Sequence, residues 1–153
     1  MTDHIPDDRK PFPKALRVWD NSARMSLSPG LYVWLGFLVV TCLASVFFVY
    51  EHTPARWVLA GFVVSHIIVF ILSATKHITL RIGMVSLNHL VCWTPGLIST
   101  ITDVQGRDAS VPYAVWSYLL IFAVSVSFLF DLRDAGTYLY YLITGKFPLR
   151  GNP

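Results

Sequence analysis

The chain has 153 residues, of which 54% are hydrophobic, 14% aromatic and only 14% charged. A soluble domain carries about 25% charged residues, and a mean hydropathy of +0.55 excludes a surface that meets water on every side. The net charge of +3 is accounted for by topology and anionic headgroups, so nucleic acid is not an expected partner.

The first thirty residues are polar, dotted with proline and without an apolar signal segment. The first apolar block is therefore expected to direct the chain to the membrane. Residues 1–13 mix Asp3, Asp7 and Asp8 with three prolines and read as extended. In residues 14–25, Leu16, Trp19 and Ala23 recur at helical spacing, which predicts a short helix at the membrane surface.

Four blocks follow that contain no Asp, Glu, Lys or Arg: residues 31–50, 57–74, 82–101 and 111–130. A helix needs about 20 apolar residues to cross hydrocarbon, so each block is predicted to span. The six-, seven- and nine-residue connections join antiparallel neighbours. Ser28-Pro29 and Ser110-Val111-Pro112 are helix starts, a capping residue followed by proline in the first turn. Grouping alternate sides places ten Lys and Arg on the side of both termini, against Arg56 and Arg107 alone on the other. If the third block re-entered instead of crossing, the division would be eight against four, so four crossings fit better. Positive flanks stay cytoplasmic. After the fourth block, Asp131, Arg133 and Asp134 read as the inner edge. The apolar, aromatic run 138–143 predicts an interfacial helix ending at Gly145 before Pro148.

The expected fold is thus an all-α membrane protein. Residues 1–30 form a cytoplasmic tail, 31–130 a bundle of four antiparallel transmembrane helices, and 131–153 a cytoplasmic interfacial helix and tail. Bacterial inner membrane is the simplest host, and a mitochondrial inner membrane is compatible with the same pattern.

Functional candidates lie in the third block, whose centre reads SLNHLVCWTPG (residues 86–96). As a helix, it aligns Ser86, His89, Cys92 or Trp93, Gly96 and Ser99 on one face, with Asn88 just beside it. Leu87, Leu90, Val91, Leu97 and Ile98 face the other way. Pro95 frees the carbonyl of Val91 and bends the helix, and Thr94 or Trp93 is expected to satisfy it. Continued as a helix past residue 74, the second block returns His66, Ser73 and His77 to one face. The two blocks are neighbours, and His66 and His89 fall at similar depth near mid-membrane, so the histidines are expected to meet.

The plain role for such groups is interhelical hydrogen bonding, assisted by small-residue contacts at Gly61/Ser65 and Ala123/Ser127. A sharper role is axial ligation of a b-type haem by His66 and His89. Another is a proton or solute path, which the absence of a carboxylate from every block disfavours. Cys42 and Cys92 both fall inside blocks, lack zinc-ligand spacing and read as small apolar residues. His52 beside Glu51 reads as a solvated pair at the outer rim. There is no phosphate loop and no H-E-x-x-H or G-x-S-x-G motif, so an enzyme is not expected.

The leading expectation is an accessory, structural or assembly subunit of a larger membrane complex, in contact with lipids, with other membrane subunits or further copies of itself, and with a pigment or haem. Trp34, Trp57, Trp93, Trp116, Tyr113 and Tyr118 would supply its lateral surfaces. A haem-carrying electron-transfer subunit comes second and a small oligomeric channel or carrier third. The charge division makes a direct prediction. Reporter domains fused after residue 153 and before residue 1 will both read cytoplasmic, whereas a fusion in the 102–110 loop will read external.

Overall fold

The computed structural model describes residues 13–19, 28–75, 79–106 and 110–146. These residues are almost wholly helical, in four long elements. Helix α1 spans Pro29–Leu43 and tightens into a 3₁₀ segment, Ala44–Phe48. Helix α2 is Thr53–Ala74, α3 is Ile82–Gly106 and α4 is Val111–Thr144. Three of them, Pro29–Phe48, Thr53–Ala74 and Val111–Thr144, are long and apolar enough to cross a membrane. Helix α3, with 25 residues, is about 37 Å long. Length is not what distinguishes it. Its polar stripe lowers its hydropathy.

The start signals act as read. Ser28 and Ser110 occupy the N-cap positions in extended conformation, and Pro29 and Pro112 sit in the first turns. At the other end of α4, Gly145 adopts the left-handed conformation (φ 64°) and its N–H closes on the carbonyl of Tyr141. Only glycine does this without a Cβ penalty.

The bundle core lies between α2, α3 and α4, with Phe62, Trp93, Trp116, Leu120 and Val124 at its centre and Leu38 and Cys42 closing it from α1. Three of the aromatics expected on the lateral surface, Trp93, Trp116 and Tyr113, are therefore interior, while Trp57 and Tyr118 are exposed. Their polar atoms explain the difference. Trp93 Nε1 donates to Ser65 Oγ (2.9 Å), Trp116 Nε1 to the carbonyl of Thr41 (2.9 Å), and Tyr113 to Asp103 (2.9 Å). A ring with a partner for its N–H or O–H can be buried.

Two expected elements differ. The tail does not form a helix over residues 14–19. After one 3₁₀ turn, Lys14–Leu16, it runs extended and bridges to the start of α3. There Trp19 N donates to Leu80 O (2.7 Å) and Ile82 N to Arg17 O (3.1 Å). Ala15 and Leu16 are buried, and the Arg81 guanidinium donates to the Leu16 carbonyl while lying over the Tyr141 ring. These bonds satisfy more backbone than a single surface turn could. Residues 20–25 of the expected helix lie outside the described residues. Likewise, no separate interfacial helix begins after Asp131. Helix α4 continues unbroken for 34 residues, about 51 Å, because no proline interrupts residues 131–144 and the lone Gly136 is tolerated.

Helices α2 and α3 approach most closely at glycine. A Cβ on Gly61 would run into the carbonyl of Cys92, and one on Gly96 would meet the backbone of Val58 at 3.0 Å, whereas Gly36 has open space around it. Close approach of this kind is the usual basis of helix association in hydrocarbon. Gly61→Ala is therefore expected to destabilise the fold by about 1–3 kcal/mol, as overpacking does. Gly36→Ala is expected to be neutral or mildly stabilising. Reversible SDS unfolding of both variants in mixed micelles checks this.

Candidate functional site

The structure brings His66 and His89 together, with ring centroids 6.5 Å apart. It also adds a residue that the sequence reading placed elsewhere: His89 Nδ1 lies 3.6 Å from Asp131 Oδ2. Its place after the fourth apolar block puts Asp131 at the membrane edge by sequence, but the packing of α3 on α4 sets it level with His89. Gly83, in the first turn of α3, packs against Tyr138 and the Asp134 carbonyl, so α3 begins level with residues 134–138 of α4. His89 is six residues further along α3, about 9 Å. Asp131 shares that depth. A carboxylate therefore stands beside the histidine pair in the bundle.

Each member of the cluster is held by its neighbours. Ser65, fully buried on α2, accepts from Trp93 Nε1 through its hydroxyl, and its carbonyl accepts from Asn88 Nδ2 (3.0 Å). The Trp93 ring stacks on His89 at 4.8 Å. His66 Nδ1 sits 2.8 Å from the carbonyl of Phe62. A carbonyl can only accept, so Nδ1 carries the proton in neutral His66 and Nε2 holds the lone pair. Among the described residues, no hydrogen bond engages Nε2 of either histidine.

The remaining candidates divide. Ser86 is buried and Cys92 half-buried, with its thiol 3.5 Å from Asn88 Oδ1. Thr94 donates to the carbonyl of Leu90 rather than Val91. Pro95 lies inside α3 without ending it. Ser73 is exposed and donates to Val69 of its own helix, so it does not join the cluster. The buried face of α2 is Pro54, Ala55, Val58, Gly61, Phe62 and Ser65. It is set by small residues, leaving His66 at its margin, exposed on the flank of the bundle. His77 lies outside the described residues.

A second polar layer closes the opposite end. His52 stacks on Tyr113 with centroids 3.4 Å apart and planes within 6°, and its Nδ1 lies 4.0 Å from Asp103 Oδ2. With its side chain only 15% exposed, His52 is not the solvated partner of Glu51 that its position in sequence implies. Fourteen residues separate His52 from His66 and His89 from Asp103, so the two layers stand about 21 Å apart. Between them, the cavity lined by Cys42, Val58, Trp93, Leu97, Leu120 and Val124 measures about 10 Å³, room for one water at most.

The imidazole separation suits ligation across one atom. Beside the histidines, Asn88 and Trp93 of α3 both bond to Ser65 of α2, and the Trp93 ring stacks on His89 of its own helix. Compared with protein-family models, curated proteins and solved structures, the chain matches none.

The cluster makes Ser65 the residue on which the α2–α3 contact turns. Ser65→Ala strands the buried Trp93 N–H and is expected to cost about 1 kcal/mol. Ser73→Ala, on the exposed side, is expected to stay within about 0.5 kcal/mol. Equal losses from the two variants in SDS unfolding would contradict this arrangement.

Proposed function

We propose that this chain is a small integral-membrane subunit that serves a larger membrane complex as an accessory or assembly component, in a bacterial inner membrane with both termini cytoplasmic. The observation that carries this reading is the sideways opening of the His66–His89–Asp131 cluster. Ionisable groups within a membrane ordinarily face the bundle interior and pair with one another. Here His89 and Asp131 do so, yet His66 stands at the flank with Ile67 and Phe70, all exposed. A polar site that opens into hydrocarbon exchanges with a neighbour in the membrane and not with water.

Helix α4 carries an exposed apolar strip of its own, Leu132, Leu139, Tyr140 and Ile143, along the half of the rod nearest the tail.

Purification of the tagged chain in mild detergent is expected to yield stoichiometric larger partners. A photo-crosslinking residue at position 67 or 70 is expected to capture one of them, and the same residue at position 36 is not. A chain recovered alone, with no crosslink from either flank position, would discard the accessory reading. Recovery as a homo-oligomer would replace it with self-assembly through α2.

A further inference from the structure

We propose that His66 and His89 bind a single copper(I) ion through their Nε2 atoms, with Asp131 as its counter-charge. The inference names a ligand for the cluster on which the accessory reading rests. Three features of the cluster lead to it.

The first is the state of the two rings. A metal-binding histidine characteristically turns its other nitrogen to a carbonyl or a carboxylate, which fixes the tautomer and makes the free nitrogen more basic. Both arrangements are present: His66 Nδ1 faces the Phe62 carbonyl at 2.8 Å, and His89 Nδ1 faces Asp131 at 3.6 Å. With Nδ1 donating to the carbonyl, Nε2 of neutral His66 holds a lone pair, and among the described residues no hydrogen bond engages Nε2 of either ring.

The second is spacing. Two metal–nitrogen bonds of about 2.0 Å, together with the two ring radii, set imidazole centroids about 6.2 Å apart across one ion. The observed separation is 6.5 Å. Asn88, Ser65 and Trp93 hold the helices that carry these rings, so little movement is needed.

The third is charge and coordination number. Among the described residues, no group of three or more His, Cys, Asp or Glu side chains is placed to hold a metal. Zinc in a structural site takes four ligands, and a divalent ion here would leave a net positive charge in hydrocarbon. Copper(I) is satisfied by two nitrogens in line, suits imidazole, and is balanced by the single carboxylate of Asp131.

The test is a titration of the purified full-length chain in detergent with copper(I), kept reduced by ascorbate, against bicinchoninate as a coloured competitor. One ion per chain is expected, with X-ray absorption showing two nitrogen neighbours and no sulfur. His66→Leu and His89→Leu are each expected to abolish binding, and Asp131→Asn to weaken it by about 10- to 100-fold. Cys92→Ser and His52→Ala are expected to leave it unchanged. No binding by the native chain, a sulfur neighbour, or unaltered binding by either leucine variant would overturn the proposal. If a leucine variant fails to fold, the ligand set in the native chain decides. The titration uses the isolated chain, so its failure leaves the partner test standing, and the absence of partners leaves the copper result intact.

Discussion

Helix association inside hydrocarbon cannot draw on the hydrophobic effect, because lipid tails are as apolar as leucine. The contact on which this bundle depends is therefore the backbone approach of α2 to α3 at Gly61 and Gly96. It brings the helices close enough for Ser65 to accept from both Trp93 and Asn88, and those bonds fix the rotation of each helix. Rotation in turn decides what each histidine meets. A larger residue at position 61 would move His66 relative to His89 although it touches neither.

From that contact the polar groups fall into two layers rather than one stripe. His66, His89 and Asp131 form one, and His52, Asp103 and Tyr113 the other, about 21 Å apart along α2 and α3. Each layer draws one residue from each of α3 and α4, with a histidine or its equivalent from the entry or the middle of α2. Between them lie the apolar core around Phe62, Trp93 and Leu120 and the buried hydroxyls of Thr100 and Ser117.

Much of this was legible in the sequence. The helix starts at Ser28-Pro29 and Ser110, the stop at Gly145, the antiparallel neighbours and the meeting of His66 with His89 all follow from local chemistry and spacing. Asp131 was misplaced because a lone carboxylate after an apolar block reads as the membrane edge. Only the packing of Gly83 against Tyr138 reveals how far α4 is offset from α3. Ser73 was wrongly grouped with His66 because periodicity assigns residues to a common face but does not say which face packs. That choice was made by small residues at positions 55, 61 and 65. The pairing of His52 with Asp103 joins residues 51 positions apart, and nothing local encodes it.

The unbroken run of α4 has a mechanical consequence. A helix transmits displacement as a rod, and this one carries Asp131 at one depth and the Tyr138 and Tyr141 contacts with the entry of α3 further along. Had the chain turned into the interface after Asp131, as its aromatic run implies, movements at the surface would have been absorbed by the bend. Without a joint, Asp131 and the Tyr138 and Tyr141 contacts belong to one rigid element, so the distance from Asp131 to His89 is set together with the docking of α4 on the entry of α3.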